Sequence, residues 1–100
     1  MMAMAPPVEC IIEHHDKGGM LTLVPMISGD GRGQGSYQFE IVSNSGGNTS
    51  SNMQGGDFEK TEAGRLSLSQ VVVSASDNGW SARLTVYGPT GETLCRISVP

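Results

Sequence analysis

The chain has 100 residues, with 6 Lys and Arg against 10 Asp and Glu, and is 37% hydrophobic but only 5% aromatic. That is enough chain for one domain with a modest core, which must rest on Val, Leu, Ile and Met. A formal charge of −4 gives no basic field for nucleic acid, and no apolar run approaches the ~20 residues that span a bilayer, so neither nucleic-acid binding nor membrane insertion is expected.

Met1-Met2-Ala3-Met4-Ala5-Pro6-Pro7 has no basic start and no apolar stretch of useful length, so it does not read as a signal peptide. Residues 1–7 are expected to be a flexible N-terminal segment. Two origins stay open: a cytoplasmic protein, or an exported one whose leader has been removed and replaced by a start Met. Val8 to His14 is the first strand candidate, with Val8, Cys10 and Ile12 on one face and Glu9, Ile11 and Glu13 on the other. Asp16-Lys17-Gly18-Gly19 is a turn. Met20 to Ile27 is the second strand, with Leu21, Leu23 and Ile27 on one face; Pro25 lacks an N–H, which marks either an edge or a bulge.

Ser28 to Gly35 is rich in glycine but lacks the Gly-Lys-Ser/Thr ending of a phosphate-binding loop, and no helix follows it, so it is expected to be a plain loop. Ser36 to Ser43 is the third strand, with Tyr37, Phe39 and Ile41 on one side and Gln38, Glu40 and Val42 on the other. Asn44 to Gly56 is polar and reads as a loop or as a short edge strand around Ser51 to Gln54, which Phe58 to Thr61 extends.

Leu66 to Ala75 is one strand with a phase slip at Ser69-Gln70. Leu66 and Leu68 share a face, then Val71, Val73 and Ala75 do; a β-bulge reconciles the two sets. Asp77-Asn78-Gly79 is a hairpin turn. Trp80 to Tyr87 follows, with Trp80, Ala82, Leu84 and Val86 inward. Gly88-Pro89-Thr90-Gly91 turns again, and Thr93 to Val99 closes the chain with Cys95, Ile97 and Val99 inward and Leu94, Arg96 and Ser98 outward. Short strands at spacings of about ten residues predict an all-β, immunoglobulin-like antiparallel β-sandwich of about seven strands, a single domain over residues 1–100.

Reactive chemistry is sparse. Cys10 and Cys95 form no CxxC; they read either as a disulfide, plausible if the first and last strands are neighbours, or as two buried thiols. His14 and His15 are adjacent on a strand and point to opposite faces, so they do not converge on a metal. The acidic residues are scattered beside turns, and no nucleophile–base pair is evident. No catalytic residue, metal ligand or cofactor is expected. Asn48-Thr49-Ser50 matches a glycosylation sequon, a pattern common by chance in Ser/Asn-rich loops. One constellation invites a binding role. Arg83 and Arg96 project outward from neighbouring strands, with Gln38, Glu40, Thr85 and Tyr87 on the same face. Two guanidiniums beside an aromatic suit an extended polar chain; the alternative is a solvated face on which Glu40 pairs with one arginine. The expected partner-binding set is Gln38, Arg83, Tyr87 and Arg96.

From Met20 onward the chain resembles the CsgC/CsgH family, periplasmic proteins of the curli amyloid system. The likeness rests on Met20-Leu21-Thr22-Leu23-Val24-Pro25, the polar stretch Asn44 to Glu62, Arg65 to Ser76 with its slip at Gln70, and the last hairpin, Trp80 to Tyr87 and Thr93 to Pro100. Gly46-Gly47-Asn48-Thr49-Ser50-Ser51-Asn52 is closer to the CsgH branch. The Cys-x-Cys that CsgC proteins carry on the third strand is missing between Tyr37 and Val42, which removes the basis for a redox role. The resemblance implies a monomeric periplasmic sandwich that, without ATP, keeps the secreted curli subunit from forming amyloid early. A structural or adhesive module of a surface assembly is the alternative; an enzyme would need a reactive site the chain does not display.

Overall fold

The computed structural model describes residues 8–30, 32–45, 47–74 and 79–99. The expected N-terminal segment 1–7 and the first two residues of the Asp77-Asn78-Gly79 turn lie outside them. The described residues contain eight strands and no helix: β1 (Glu9–Lys17), β2 (Met20–Gly29), β3 (Gly33–Ser45), β4 (Asn48–Lys60), β5 (Gly64–Ser67), β6 (Val71–Ser74), β7 (Trp80–Tyr87) and β8 (Thr93–Val99). They form two antiparallel sheets. In the first, β2 runs between β1 and the pair β5 and β6; the second has the order β4-β3-β7-β8. The fold is the expected all-β, immunoglobulin-like sandwich.

Alternation builds the core. Leu21, Leu23, Pro25 and Ile27 on β2 face Phe39 and Ile41 on β3 and Ala82, Leu84 and Val86 on β7, with Ile12, Phe58 and Val71 around them. Fully burying a side chain of this size stabilises the fold by about 1.5–3 kcal/mol. Three central strands with every second residue apolar therefore supply most of the driving force. The β1–β2 hairpin turns on Gly18 and Gly19, both at positive φ (61° and 82°), which a tight two-residue hairpin requires and side chains resist.

The slip at Ser69-Gln70 takes the form of a break. Met26 pairs with Ser67, and Leu23 with Val71, so two residues of β2 lie opposite three of the adjoining segment. The extra residue divides the single strand expected from Leu66 to Ala75 into β5 and β6, and it lets Leu66 and Val71 both turn to the core. Pro25 lies at the break. Its carbonyl accepts the Leu68 N–H at 2.8 Å, and its missing N–H costs no ladder bond there. Of the two readings of Pro25, the bulge holds and the edge does not, because β2 is the central strand of its sheet.

Four further expectations are corrected. The Asp77-Asn78-Gly79 link does not close a hairpin: β6 pairs with β2 and β7 with β3, so the chain crosses there from one sheet to the other. Gly79 instead prolongs the β3–β7 ladder, its carbonyl accepting the Asn44 N–H at 2.6 Å. The glycine-rich stretch Ser28 to Gly35 is mostly strand, since β2 runs to Gly29 and β3 begins at Gly33. The polar stretch Asn44 to Gly56 is neither a loop nor a short edge: β4 has 13 residues and pairs with β3 along its whole length. Leu94 packs against the core and does not face outward, because the β7–β8 register shifts between Val86 and Tyr87.

Cys10 on β1 is bonded to Cys95 on β8, with a Cα–Cα distance of 5.8 Å and a sequence separation of 85. The bond ties an edge strand of one sheet to an edge strand of the other. Further along this flank, His14 on β1 meets Trp80 on β7 edge to face, ring centroids 5.1 Å apart.

Candidate functional site: the outer face of the second sheet

Strand register sets this face. Gln38 on β3 lies opposite Thr85 on β7, which lies opposite Arg96 on β8. One pleat along, Met53 on β4, Glu40, Arg83 and Ser98 form the parallel row. Tyr87 stands beside the first row, two residues beyond Thr85 on β7. Side chains two apart on a strand share a face, so both rows project away from the core. Gln38, Glu40, Met53, Arg83, Thr85, Tyr87 and Arg96 line one open groove of about 270 Å3. The structure thus brings together all four residues of the expected binding set.

Inside the groove the contacts are few and weak. The Gln38 amide donates to the Met53 sulfur at 3.0 Å, and the Tyr87 hydroxyl reaches the Gln38 carbonyl oxygen at 3.5 Å. Glu40 pairs with Arg83 at 3.8 Å, with the two side chains 31% and 59% exposed. An ion pair that long and that wet contributes at most about 1 kcal/mol, so the guanidinium can exchange partners at little cost. Among the described residues no ion pair or hydrogen bond engages the Arg96 guanidinium. Thr85 is buried at the floor, covered by its longer neighbours. The groove therefore presents two arginines, an aromatic ring and an amide with no enclosed chamber, and nothing in it forms a nucleophile–base pair. It can bind an extended chain by hydrogen bonding and stacking.

Other sequence candidates fall elsewhere. His14 is engaged with Trp80, and among the described residues no group of three metal-ligating side chains converges. Met53, on β4, is 56% exposed and forms one wall of the groove. Lys60 was not singled out at all. It is 3% exposed, with its ammonium donating to the Gly29 carbonyl at 2.8 Å and to the Glu62 carbonyl. The signal for it was the Phe58-x-Lys60 spacing, which puts the lysine on the same inward face as a buried phenylalanine.

Two solved structures share the fold. R. palustris CsgH, determined in solution, aligns with a TM-score of 0.69 at 28% identity, over 92% of this chain and 88% of that one. The E. coli curli protein CsgC aligns with a TM-score of 0.79 at 14% identity, over 94% and 99%, a likeness of fold alone. No curated protein sequence matches the chain. The CsgH protein family, by contrast, matches residues 9–97, almost the whole of the sandwich, and the chain belongs to that family.

Proposed function

We propose that the protein is a curli-associated, extracytoplasmic factor with no enzymatic activity, a periplasmic chaperone-like inhibitor. It keeps the secreted curli major subunit from assembling into amyloid before export, through transient surface contacts and without ATP. Membership of the CsgH family supports the curli association, and the Cys10–Cys95 bond fits an oxidising compartment. The observation that carries the binding reading is the groove of the second sheet, where Arg83 and Arg96 stand beside Tyr87 and Gln38 with little to occupy them. A disordered subunit chain offers carboxylates, backbone carbonyls and aromatic rings, and guanidiniums engage all three. The protein acts as a monomer on that chain before it has ordered.

The test is fibre formation by a purified curli subunit, followed by dye fluorescence, with and without this protein. Wild type lengthens the lag phase. Arg83→Ala with Arg96→Ala shortens it again, and raising the salt does the same, because at 1 M the Debye length falls to about 3 Å. A lag that wild type leaves unchanged overturns the function. A lag equally long with the double variant removes the groove from it.

A further inference from the structure

Among the described strands five have an open side, and four of them are guarded. β1 carries Glu9, Glu13, Asp16 and Lys17. β5 and β6 are 4 residues each and offset by the break. β8 is 7 residues long, shifted in register and tied down by Cys95. β4 is long and unbroken, and its charged residues, Asp57, Glu59 and Lys60, are confined to its last four positions. Its 13 residues pair with β3 in one unbroken register, it contains no proline, and no charged residue occurs from Asn48 to Gly56. A long, uninterrupted edge with an uncharged stretch is a template for another strand.

The backbone polarity of that edge follows from one bond. Asn44 on β3 donates its N–H to Gly79, on the β7 side. In an antiparallel ladder successive residues turn their N–H and C=O to opposite sides, so Gln38, Glu40 and Val42 also turn to β7, and Tyr37, Phe39 and Ile41 to β4. On β4 the partners of these last three are Gly56, Gln54 and Asn52. The intervening residues Ser51, Met53, Gly55 and Asp57 therefore aim their N–H and C=O at the open side. Gly55 also leaves a dent. A depression of about 370 Å3 lies over it, walled by Tyr37, Gln38, Met53 and Tyr87, and it shares Gln38, Met53 and Tyr87 with the arginine groove.

We propose that the partner chain docks as an added β-strand along β4, pairing with Ser51 through Asp57 and placing a side chain in the dent over Gly55. This rests on the amyloid-inhibitor reading and names the strand edge that receives the partner. The occupant is an extended, uncharged polar segment rich in Gln, Asn, Ser or Gly. The outward side chains from Ser51 to Gly55 are small and uncharged apart from the apolar Met53, Asp57 brings the one charge of the segment, and the dent continues into the groove that holds the arginines. A second copy of the chain is the poorer fit, since it brings the same charge of −4 and almost no apolar surface to that edge.

The test compares wild type with Ser51→Pro, which removes one outward N–H and leaves the β3 ladder bonds in place. In the fibre assay the concentration needed for a given lag rises by about tenfold, the worth of one or two backbone hydrogen bonds, while the unfolding midpoint certifies the fold. Amide exchange read by NMR on the wild type, with and without monomeric curli subunit, gives a second measurement that needs no variant. Ser51, Met53, Gly55 and Asp57 gain protection on binding, while Asn52 and Gln54, already bonded to β3, change little. Wild-type inhibition that persists in a folded Ser51→Pro, or protection without that alternation, overturns the edge and leaves the inhibitor reading standing. The same alternation appearing with protein concentration alone assigns the edge to a second copy and overturns the proposal too. Absence of any inhibition by wild type overturns the function itself.

Discussion

The two flanks of the sandwich solve one problem with opposite chemistry. On one side, β1 of the first sheet and β8 of the second are joined by the Cys10–Cys95 bond, with His14 against Trp80 further along. On the other, Phe58 is the one β4 side chain in the apolar core among the described residues, and the rest of the seam between the β3–β4 side and the first sheet is held by polar contacts. The Tyr37 hydroxyl donates to the Leu68 carbonyl at 3.3 Å, Ser69 to the Gln54 side chain, and Lys60 to the Gly29 carbonyl. A covalent flank stays shut. A hydrogen-bonded flank can loosen locally, because each of its bonds contributes only about 0.5–1.5 kcal/mol net. The open edge of β4 lies on the flank that is free to adjust to a partner.

Cutting the covalent flank gives the largest effect. The bond spans a sequence separation of 85, and removing such a crosslink from a small domain costs about 2–5 kcal/mol. Cys10→Ala with Cys95→Ala lowers the unfolding free energy by that amount and the urea midpoint with it, while the far-ultraviolet signature stays all-β; a midpoint that does not move contradicts the assignment of this flank as the clamp. On the opposite flank, Lys60→Met keeps the apolar stem but strands the carbonyls of Gly29 and Glu62. The expected loss is at most about 1.5–3 kcal/mol, the worth of hydrogen bonds to a charged group, because Gly29 is half-buried and Glu62 exposed and water can reach their carbonyls. Equal stability of Lys60→Met and wild type shows that water replaces the ammonium, and that the end of β4 is wetter than its 3% exposure implies.

These two flanks were not equally legible in the sequence. The central strands announced themselves because Leu21, Leu23, Phe39, Ile41, Leu84 and Val86 alternate with polar residues, and alternation is how a half-buried sheet is written. The slip at Ser69-Gln70 was legible for the same reason: a change of phase in the apolar positions has to be absorbed by an extra residue. β4 hid because its inward positions opposite β3 are Ser50, Asn52, Gln54 and Gly56, with Phe58 the first apolar one, so the pattern that marks a strand is missing while the pairing is complete. Its stability comes from the ladder with β3, a long-range property that no local window contains. The Asn78-Gly79 signal misled in the opposite direction. Gly79 is needed where β3 comes close, since a Cβ there would lie 2.9 Å from that of Asn44, and a glycine required by close approach looks the same in sequence as one required by a hairpin. The site was legible as far as strand parity reached: Gln38, Arg83, Tyr87 and Arg96 follow from alternation on β3, β7 and β8, whereas Met53 depended on recognising β4.

A smaller perturbation sharpens the contrast between flanks. Tyr37→Phe removes the hydroxyl that spans from β3 to Leu68 and nothing else, so global stability falls by only about 0.5–1.5 kcal/mol. Amide exchange in β5 and β6 should nevertheless speed up well before that in β1, because the crosslink leaves β1 no independent route to open. Uniform acceleration across both flanks would mean that the sandwich opens as a single unit.

The smallest effect sits in the β7–β8 turn, on the clamped flank. The Gly91 N–H bonds back to the Gly88 carbonyl at 3.0 Å, and Gly91 adopts a φ of 90°. Glu92 finishes the turn. The Thr90 hydroxyl donates to its carboxylate and, with the Glu92 and Thr90 backbone N–H groups, holds its pKa below the ordinary 4.5. A lowered carboxylate pKa means that the folded turn favours the charged form. The support is complete above pH 4.5 and is lost as acid protonates Glu92 on the way down through its folded pKa. The group is fully exposed, so the whole-molecule unfolding midpoint should barely register the change. An NMR titration of the Glu92 side chain should, with Thr90→Val moving its midpoint up toward 4.5. A midpoint indifferent to that substitution would show that the backbone N–H groups alone set the carboxylate, and that the hydroxyl follows the turn without shaping it.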